Sequence, residues 1–126
     1  MLLNKIKQFF NRITQEVNMS QDIDISPEEF KNKMEEDRGI IIDVRSHGEY
    51  KEGHLKETDL QHDYNSGEFQ KQLGSLDKDK SYYLYCRTGN RSGRAARIMK
   101  MQGFEKAYNV GGFKNLAHAG FETERG

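Results

Sequence analysis

The chain has one cysteine, one proline and no tryptophan in 126 residues, and its formal charges cancel. Each scarcity excludes something. A single cysteine rules out an intramolecular disulfide framework and a zinc knuckle, and it is the usage that a reducing cytosol permits. Residues 2–17 hold no unbroken apolar run of the length that a signal-peptide core or a membrane span requires, so export by the ordinary route is not expected and a cytoplasmic location is. No internal repeat or low-complexity stretch is visible. The length suits one small globular domain with a short appendage, residues 1–19 forming the appendage and 20–126 the domain.

The zero net charge conceals a segregation. Residues 1–21 sum to +2, residues 22–79 to −8, residues 80–106 to +6 and the remainder to 0. The cationic block holds the only thiol, in "YYLYCRTGNRSGRAARIM", with Arg87, Arg91, Arg94 and Arg97 following Cys86. A basic block is most simply a solvated helix face. Beside a cysteine it is also a field that draws an anion toward a thiolate.

Local signals predict the elements in order. In "ISPEEFKNKMEED" Ser26 is placed as an N-cap, Pro27 at the first helical position and Glu29 to complete a capping box, with Gly39 read as the stop. The run "GIIIDVR" is short, apolar and β-branched, which suits a strand buried on both faces. "HGEYKEGHL" breaks it around a helical turn, and Asn65 with Glu68 is placed to cap a helix over "SGEFQKQL" that ends at Gly74. "YYLY" is a second buried strand. From Ser92 onward Ala95, Ala96, Ile98 and Met99 share one helical face, Arg94, Arg97 and Lys100 take the solvent side, and Gly103 closes the helix. "KAYNV" reads as a further strand and "GGFKNLAHAGF" as a glycine turn into a last helix. Strands alternating with helices predict a single α/β domain whose central, mostly parallel sheet is flanked by helices.

That layout puts Cys86 at the carboxyl end of a strand, on the turn into a helix, where open α/β sheets place ligand sites. The turn consists of Arg87, Thr88, Gly89, Asn90, Arg91 and Ser92. Gly89 and Asn90 tolerate the positive φ angles that aim successive N–H groups inward as an anion-binding nest, and the helix behind adds the positive end of its dipole. Helix N-termini with neighbouring arginines lower a cysteine pKa from about 8.5 to roughly 3.5–7.5, so a nucleophilic thiolate is expected at neutral pH. The plainer alternative is a buried, inert cysteine ending a core strand.

Over about residues 23–120, the pieces "IIDVRSHGEYKEGHL" and "YYLYCRTGNRSGRAARIMKMQGFEKAYNVGGF" resemble the single-domain rhodaneses, a sulfurtransferase family. D-V-R, E-[YF], G-H-[IL], C-R-x-G-x-R-[SA] and a glycine pair after the last strand occur in that order. The resemblance implies a catalytic Cys86 that cycles between thiolate and persulfide. It implies a cradle made by the backbone of Arg87, Thr88, Gly89, Asn90 and Arg91 and closed by Ser92, with the Arg87 and Arg91 side chains as anion contacts. Asp43 and Arg45 take structural roles, with Glu49 as the partner of Arg45, and no cofactor is implied. Two departures stand out: a polar "KETDLQHDY" where the family has a small apolar stretch ending in proline, and no tryptophan after the glycine pair, its space left to Phe113 or Leu116.

Other residues invite a role and have plainer readings. A carboxylate and a guanidinium closing a buried strand, Asp43 and Arg45, form a structural bidentate pair more often than a catalytic one. His54, next to Gly53, could be a general base, but such a histidine more often bonds backbone in a turn, and it is grouped with Asp43, Arg45 and Glu49 as structural support. His47, His62 and His118 have no cysteine or carboxylate at metal-ligand spacing, so no metal site is expected. Tyr82, Tyr83 and Tyr85 read as strand packing and not as a base-stacking platform, and no nucleic-acid partner is expected.

Three functions compete. A sulfurtransferase would take sulfur from thiosulfate or a persulfide donor, hold it on Cys86 and pass it to cyanide or an acceptor thiol, small or on a protein; any resolving thiol comes from outside the chain. A cysteine phosphatase uses the same strand, loop and helix logic with C-x5-R, whereas Cys86 to Arg91 is C-x4-R, and an arsenate reductase meets that objection and the lack of resolving cysteines. A non-catalytic rhodanese-like binding or regulatory module often replaces the cysteine, which this chain keeps. In the appendage, Leu2, Leu3, Ile6, Phe9, Phe10, Ile13 and Val17 share one helical face. An isolated helix of that length needs a surface, supplied by its own domain, by a second copy in a homodimer, or by weak contact with an anionic membrane.

Overall fold

The computed structural model describes residues 23–126. The amphipathic segment expected over residues 2–17 and the boundary after residue 19 lie outside the described residues. In chain order come α1 (Pro27–Glu36), β1 (Ile40–Asp43), α2 (His47–Glu52), β2 (His54–Leu55), β3 (Leu60–Gln61) and α3 (Glu68–Gln72), which runs into a 3-10 turn (Leu73–Ser75). Then follow β4 (Tyr82–Cys86), α4 (Asn90–Met101), β5 (Ala107–Gly112), α5 (Phe113–His118) and β6 (Thr123–Glu124). Four strands make one sheet in the order β3-β1-β4-β5 with every pairing parallel, and β2 with β6 make a small antiparallel pair. This is the expected α/β domain. No helix among the described residues is long and apolar enough to cross a membrane.

Strand periodicity decides which face Cys86 looks at. Side chains alternate along a strand, so Tyr82, Leu84 and Cys86 join one apolar cluster with Phe69, Leu73, Ala95, Ala96 and Met99. Tyr83 and Tyr85 point the other way, into a second cluster with Phe30, Val110 and Leu116. The α3 and α4 helices therefore cover the thiol's face, and α1 and α5 cover the opposite one. Fully burying an anchor such as Phe30 or Phe69 contributes about 1.5–3 kcal/mol. Helices as short as α3 hold by such contacts and not by propensity.

Three local expectations need correction. Ser26 Oγ does accept the Glu29 N–H at 3.1 Å with Pro27 opening α1, but the helix ends at Glu36 through an extended Asp37 and not at Gly39. Gly39 is small for another reason: a Cβ there would lie 2.5 Å from the Ser81 carbonyl oxygen. Asn65 does not cap α3; Gly67 occupies the cap at φ 86°, and Ser66 Oγ accepts the Glu68 N–H at 3.3 Å. Gly74 lies inside the 3-10 turn that prolongs α3. The polar "KETDLQHDY" becomes the edge of the sheet, where the Asp59 N–H donates to the Ile41 carbonyl at 2.9 Å and its carboxylate accepts the Ile41 N–H at 2.8 Å. A side-chain carboxylate thus replaces the ladder acceptor that an apolar strand would have supplied from its backbone.

Candidate active site

The loop after β4 is shaped from below by β5. Leu84 pairs with Asn109 and Tyr85 with Gly111, so β5 carries one extra residue, Val110, and bends where it meets the loop. The bend brings Gly112 so close that a Cβ on it would sit 2.5 Å from the Arg87 carbonyl oxygen. Gly89 closes the turn at φ 95°, and its carbonyl accepts the Gly93 N–H at 3.0 Å to begin α4. Among the described residues no backbone carbonyl accepts the Asn90 or Arg91 N–H, which leaves first-turn donors of α4 for an anion.

Cys86 lies at the floor of this ring, fully buried. Its sulfur accepts the Gly89 N–H at 3.0 Å and contacts the Ser92 hydroxyl at 3.3 Å. Burial pushes the thiol pKa up, but the Ser92 hydroxyl and the N–H groups of Ser92, Thr88 and Gly89 more than offset it, and the net shift is downward.

The supporting carboxylates sort differently from expectation. Glu49 is not the partner of Arg45. It takes Arg91 in a two-pronged pair at 2.9 and 3.0 Å, tying α2 to the first turn of α4. Ser46 makes this possible: it caps α2 and completes a capping box with Glu49, which fixes where the carboxylate stands. Arg91 holds the Glu49 pKa down at about 2, against an ordinary 4.5, despite partial burial. The Arg91 side chain, expected as an anion contact, is already committed to an internal carboxylate. Arg87 is exposed and pairs with no carboxylate among the described residues.

Arg45 instead binds Asp43 within its own strand end, at 2.7 Å from Nη2 to Oδ2, and donates to the Gly53 carbonyl at 2.7 Å. Its guanidinium lies 4.6 Å from the centre of the Phe113 ring, so Phe113 contributes a flat apolar floor. His54 opens β2 and bonds backbone as expected: Nδ1 meets the Tyr50 carbonyl at 2.8 Å, the ring stacks on Tyr50, and Nε2 lies 3.4 Å from Glu124 Oε1. The three tyrosines of β4 are buried, and the Tyr85 hydroxyl receives the Leu55 N–H at 3.1 Å. Sequence spacing put no carboxylate beside the histidines, yet the fold brings Glu68 within 3.8 Å of His47 and 3.5 Å of His62. Those three do not converge as a metal site, and no other group of three potential ligands does among the described residues.

The structure adds Asn109 to the site. Its oxygen accepts the Ser92 hydroxyl at 2.7 Å and the Gly111 N–H at 3.1 Å, and its nitrogen donates to Asp24 Oδ1 at 2.9 Å and the Gly89 carbonyl at 3.0 Å. One signal was available: an amide inside an otherwise apolar strand, just before a glycine pair, needs partners when it is buried.

Known proteins resemble this chain over most of its described length. A Bacillus subtilis protein named "Putative sulfur carrier protein YrkF" is 39% identical over 94 residues, covering 74% of this chain and 49% of that one. The chain thus spans about half the length of that relative. Another from the same organism, "Putative sulfurtransferase YtwF", is 36% identical over 90 residues, covering 71% of this chain and 84% of that one. A Helicobacter pylori protein solved by NMR superposes with a TM-score of 0.65 at 32% identity, covering 83% of this chain and 91% of that one. The model of the rhodanese-like domain matches residues 26–119, and the chain belongs to the rhodanese-like domain family.

Proposed function

We propose that the chain is a sulfurtransferase that carries sulfane sulfur as a Cys86 persulfide. The observation behind this is a cysteine sulfur at the floor of a tight ring whose N–H groups and one hydroxyl face it, at the positive end of a twelve-residue helix. The Cys86 thiolate attacks the outer sulfur of thiosulfate or of a persulfide donor; the new S–S bond forms as the donor's S–S bond breaks, and sulfite or a thiolate leaves with the electron pair. The negative charge then sits on the outer sulfur, and the first-turn N–H groups of Asn90 and Arg91, which meet no backbone carbonyl among the described residues, are the donors we assign to it. An acceptor thiolate or cyanide takes that sulfur and regenerates the Cys86 thiolate. With Arg91 engaged by Glu49, Arg87 is the loop side chain left to meet an anionic donor.

The Cys86 to Arg91 spacing of C-x4-R supports sulfur over a phosphoryl group, since the shorter ring leaves less room, and the relatives named for sulfur carriage and transfer support it too. The test is intact-mass spectrometry after incubation with thiosulfate and, separately, with a small-molecule persulfide. One added sulfur is expected on the wild type and none on Cys86→Ser. No added sulfur from either donor, or turnover in the Cys86→Ser variant, defeats the proposal.

A further inference from the structure

Two contacts beside Cys86 compete for one proton. The Ser92 hydroxyl lies 3.3 Å from Cys86 Sγ and 2.7 Å from Asn109 Oδ1, yet a serine hydroxyl has a single hydrogen to donate. The orientation of the Asn109 amide is fixed by its surroundings, because its nitrogen faces two acceptors, Asp24 Oδ1 and the Gly89 carbonyl, and its oxygen faces the Gly111 N–H. The hydrogen in the 2.7 Å contact therefore belongs to Ser92. With Cys86 neutral the set closes as a chain, the thiol donating to Ser92 Oγ and the Ser92 hydroxyl donating to Asn109 Oδ1. With Cys86 ionised, sulfur and amide oxygen both require the same hydrogen.

We propose that Asn109 is a positioning residue whose oxygen holds the Ser92 hydroxyl hydrogen away from the sulfur while Cys86 is a neutral thiol and yields it when Cys86 becomes a thiolate. The proposal rests on the sulfur-transfer reading and deepens it. Ionisation is a sufficient trigger, because a hydrogen bond to a charged acceptor is roughly twice as strong as one between neutral groups, and Asn109 Oδ1 keeps the Gly111 N–H. On persulfide formation the charge moves to the outer sulfur and Cys86 Sγ becomes a poor acceptor, so the hydroxyl swings back to Asn109. No proton is transferred; one O–H bond rotates.

The consequence has a sign that distinguishes it from loop support. Removing the amide oxygen leaves the Ser92 hydroxyl to serve the sulfur alone, which makes the thiol more acidic. Cutting a residue that merely holds the loop would loosen the Gly89 and Ser92 donors and make the thiol less acidic. The charged groups around this cluster are Arg91 with Glu49 and Asp63, Arg87 in the loop, Asp24 bonded to Asn109 Nδ2, and Arg97 in the cleft beside Asn109; Ser92→Ala leaves their contacts unchanged, and Asn109→Ala removes only the Asp24 bond, whose freed carboxylate would make the thiol less acidic, opposite to the expected shift.

Cys86 is the only thiol in the chain, so the pH dependence of its alkylation by iodoacetamide reads its ionisation alone. Asn109→Ala is expected to lower the midpoint by about half a pH unit and Ser92→Ala to raise it by about one. In the Ser92→Ala background, Asn109→Ala should lower it no further. A midpoint that rises in Asn109→Ala, or falls just as far without Ser92, overturns the proposal. Should Asn109→Ala fail to fold, NMR of the Asn109 side-chain amide decides: its resonances move with the Cys86 midpoint in the wild type and lose most of that movement in Ser92→Ala, and equal movement in both overturns it. A persulfide by mass with no such shifts sinks the Asn109 role alone. The shifts with no persulfide sink sulfur transfer alone.

Discussion

Two arginine–carboxylate pairs stand within a few residues of each other and do different work. Asp43 and Arg45 sit at the end of β1 with side chains 0% and 5% exposed, while Glu49 and Arg91 join α2 to α4 at 28% and 21%. Both are bidentate. The first is sealed between the Gly53 carbonyl and the Phe113 ring, so either partner alone would be a charge with no water to solvate it. The second keeps contact with solvent and reaches into the cysteine loop. The lesson is that burial, more than geometry, decides whether such a pair supports the fold or sets a site.

The largest expected effect follows from the sealed pair. Asp43→Asn should cost about 3–5 kcal/mol, because Arg45 stays buried without a counter-charge, while Glu49→Gln should cost less, about 1–3 kcal/mol at neutral pH, because that pair keeps contact with water. Urea denaturation of both variants measures this, and equal losses would erase the distinction. Acid sharpens it. The folded-state pKa of Glu49 is lowered to about 2 from 4.5, so its contribution is fully present above about 4.5 and is lost as pH falls toward 2. The stability gap between wild type and Glu49→Gln should therefore shrink across that window and stay constant from pH 5 to 7.

A smaller contrast separates the two loop arginines. Arg91→Ala unfastens the first turn of α4 from Glu49, and misplacing loop donors by about 1 Å is enough to cost about a hundredfold in kcat/KM. Arg87→Ala removes an exposed cation and should raise KM for thiosulfate about two- to fivefold with kcat held. If Arg91→Ala instead raises KM and leaves kcat untouched, Arg91 binds the donor directly and its pairing with Glu49 is incidental.

The reach of the sequence follows the range of the interactions. Local interactions are legible: "GIIIDVR" and "YYLY" as buried strands, the second one residue short of its end at Cys86, Ser26 and Pro27 opening α1, and Cys86 on a strand-to-helix turn, since periodicity and caps are written in neighbouring residues. Pairings across the fold are not. The resemblance gives Arg45 the carboxylate four positions away, Glu49, and Arg91 an anion, whereas Glu49 meets Arg91 across 42 positions. Asn109 and Asp24 were missed because their partnership spans 85 positions. The strands β2, β3 and β6, each of two residues, are too short for any alternation to show.

The smallest expected effect concerns the rest of the basic block. Arg94 and Arg97 are exposed on α4, and Arg97 lines a cleft with Asp24, Thr88, Gly89, Asn90 and Asn109. An exposed cation that makes no contact with Cys86 acts on an incoming anion through its field, and that field is cut off beyond about 8 Å at physiological ionic strength and about 30 Å at 0.01 M. The kcat/KM of the wild type for thiosulfate should therefore decline as salt rises. Arg97→Ala should lower it less than about twofold at low salt and leave it unchanged at 0.15 M, because an exposed charge contributes little once screened. A salt series on wild type, Arg97→Ala and Arg87→Ala makes the comparison. Were Arg97→Ala as damaging as Arg87→Ala at 0.15 M, the donor would have to touch Arg97 itself, and the cleft that Arg97 shares with Thr88, Gly89 and Asn90 would be part of the donor site.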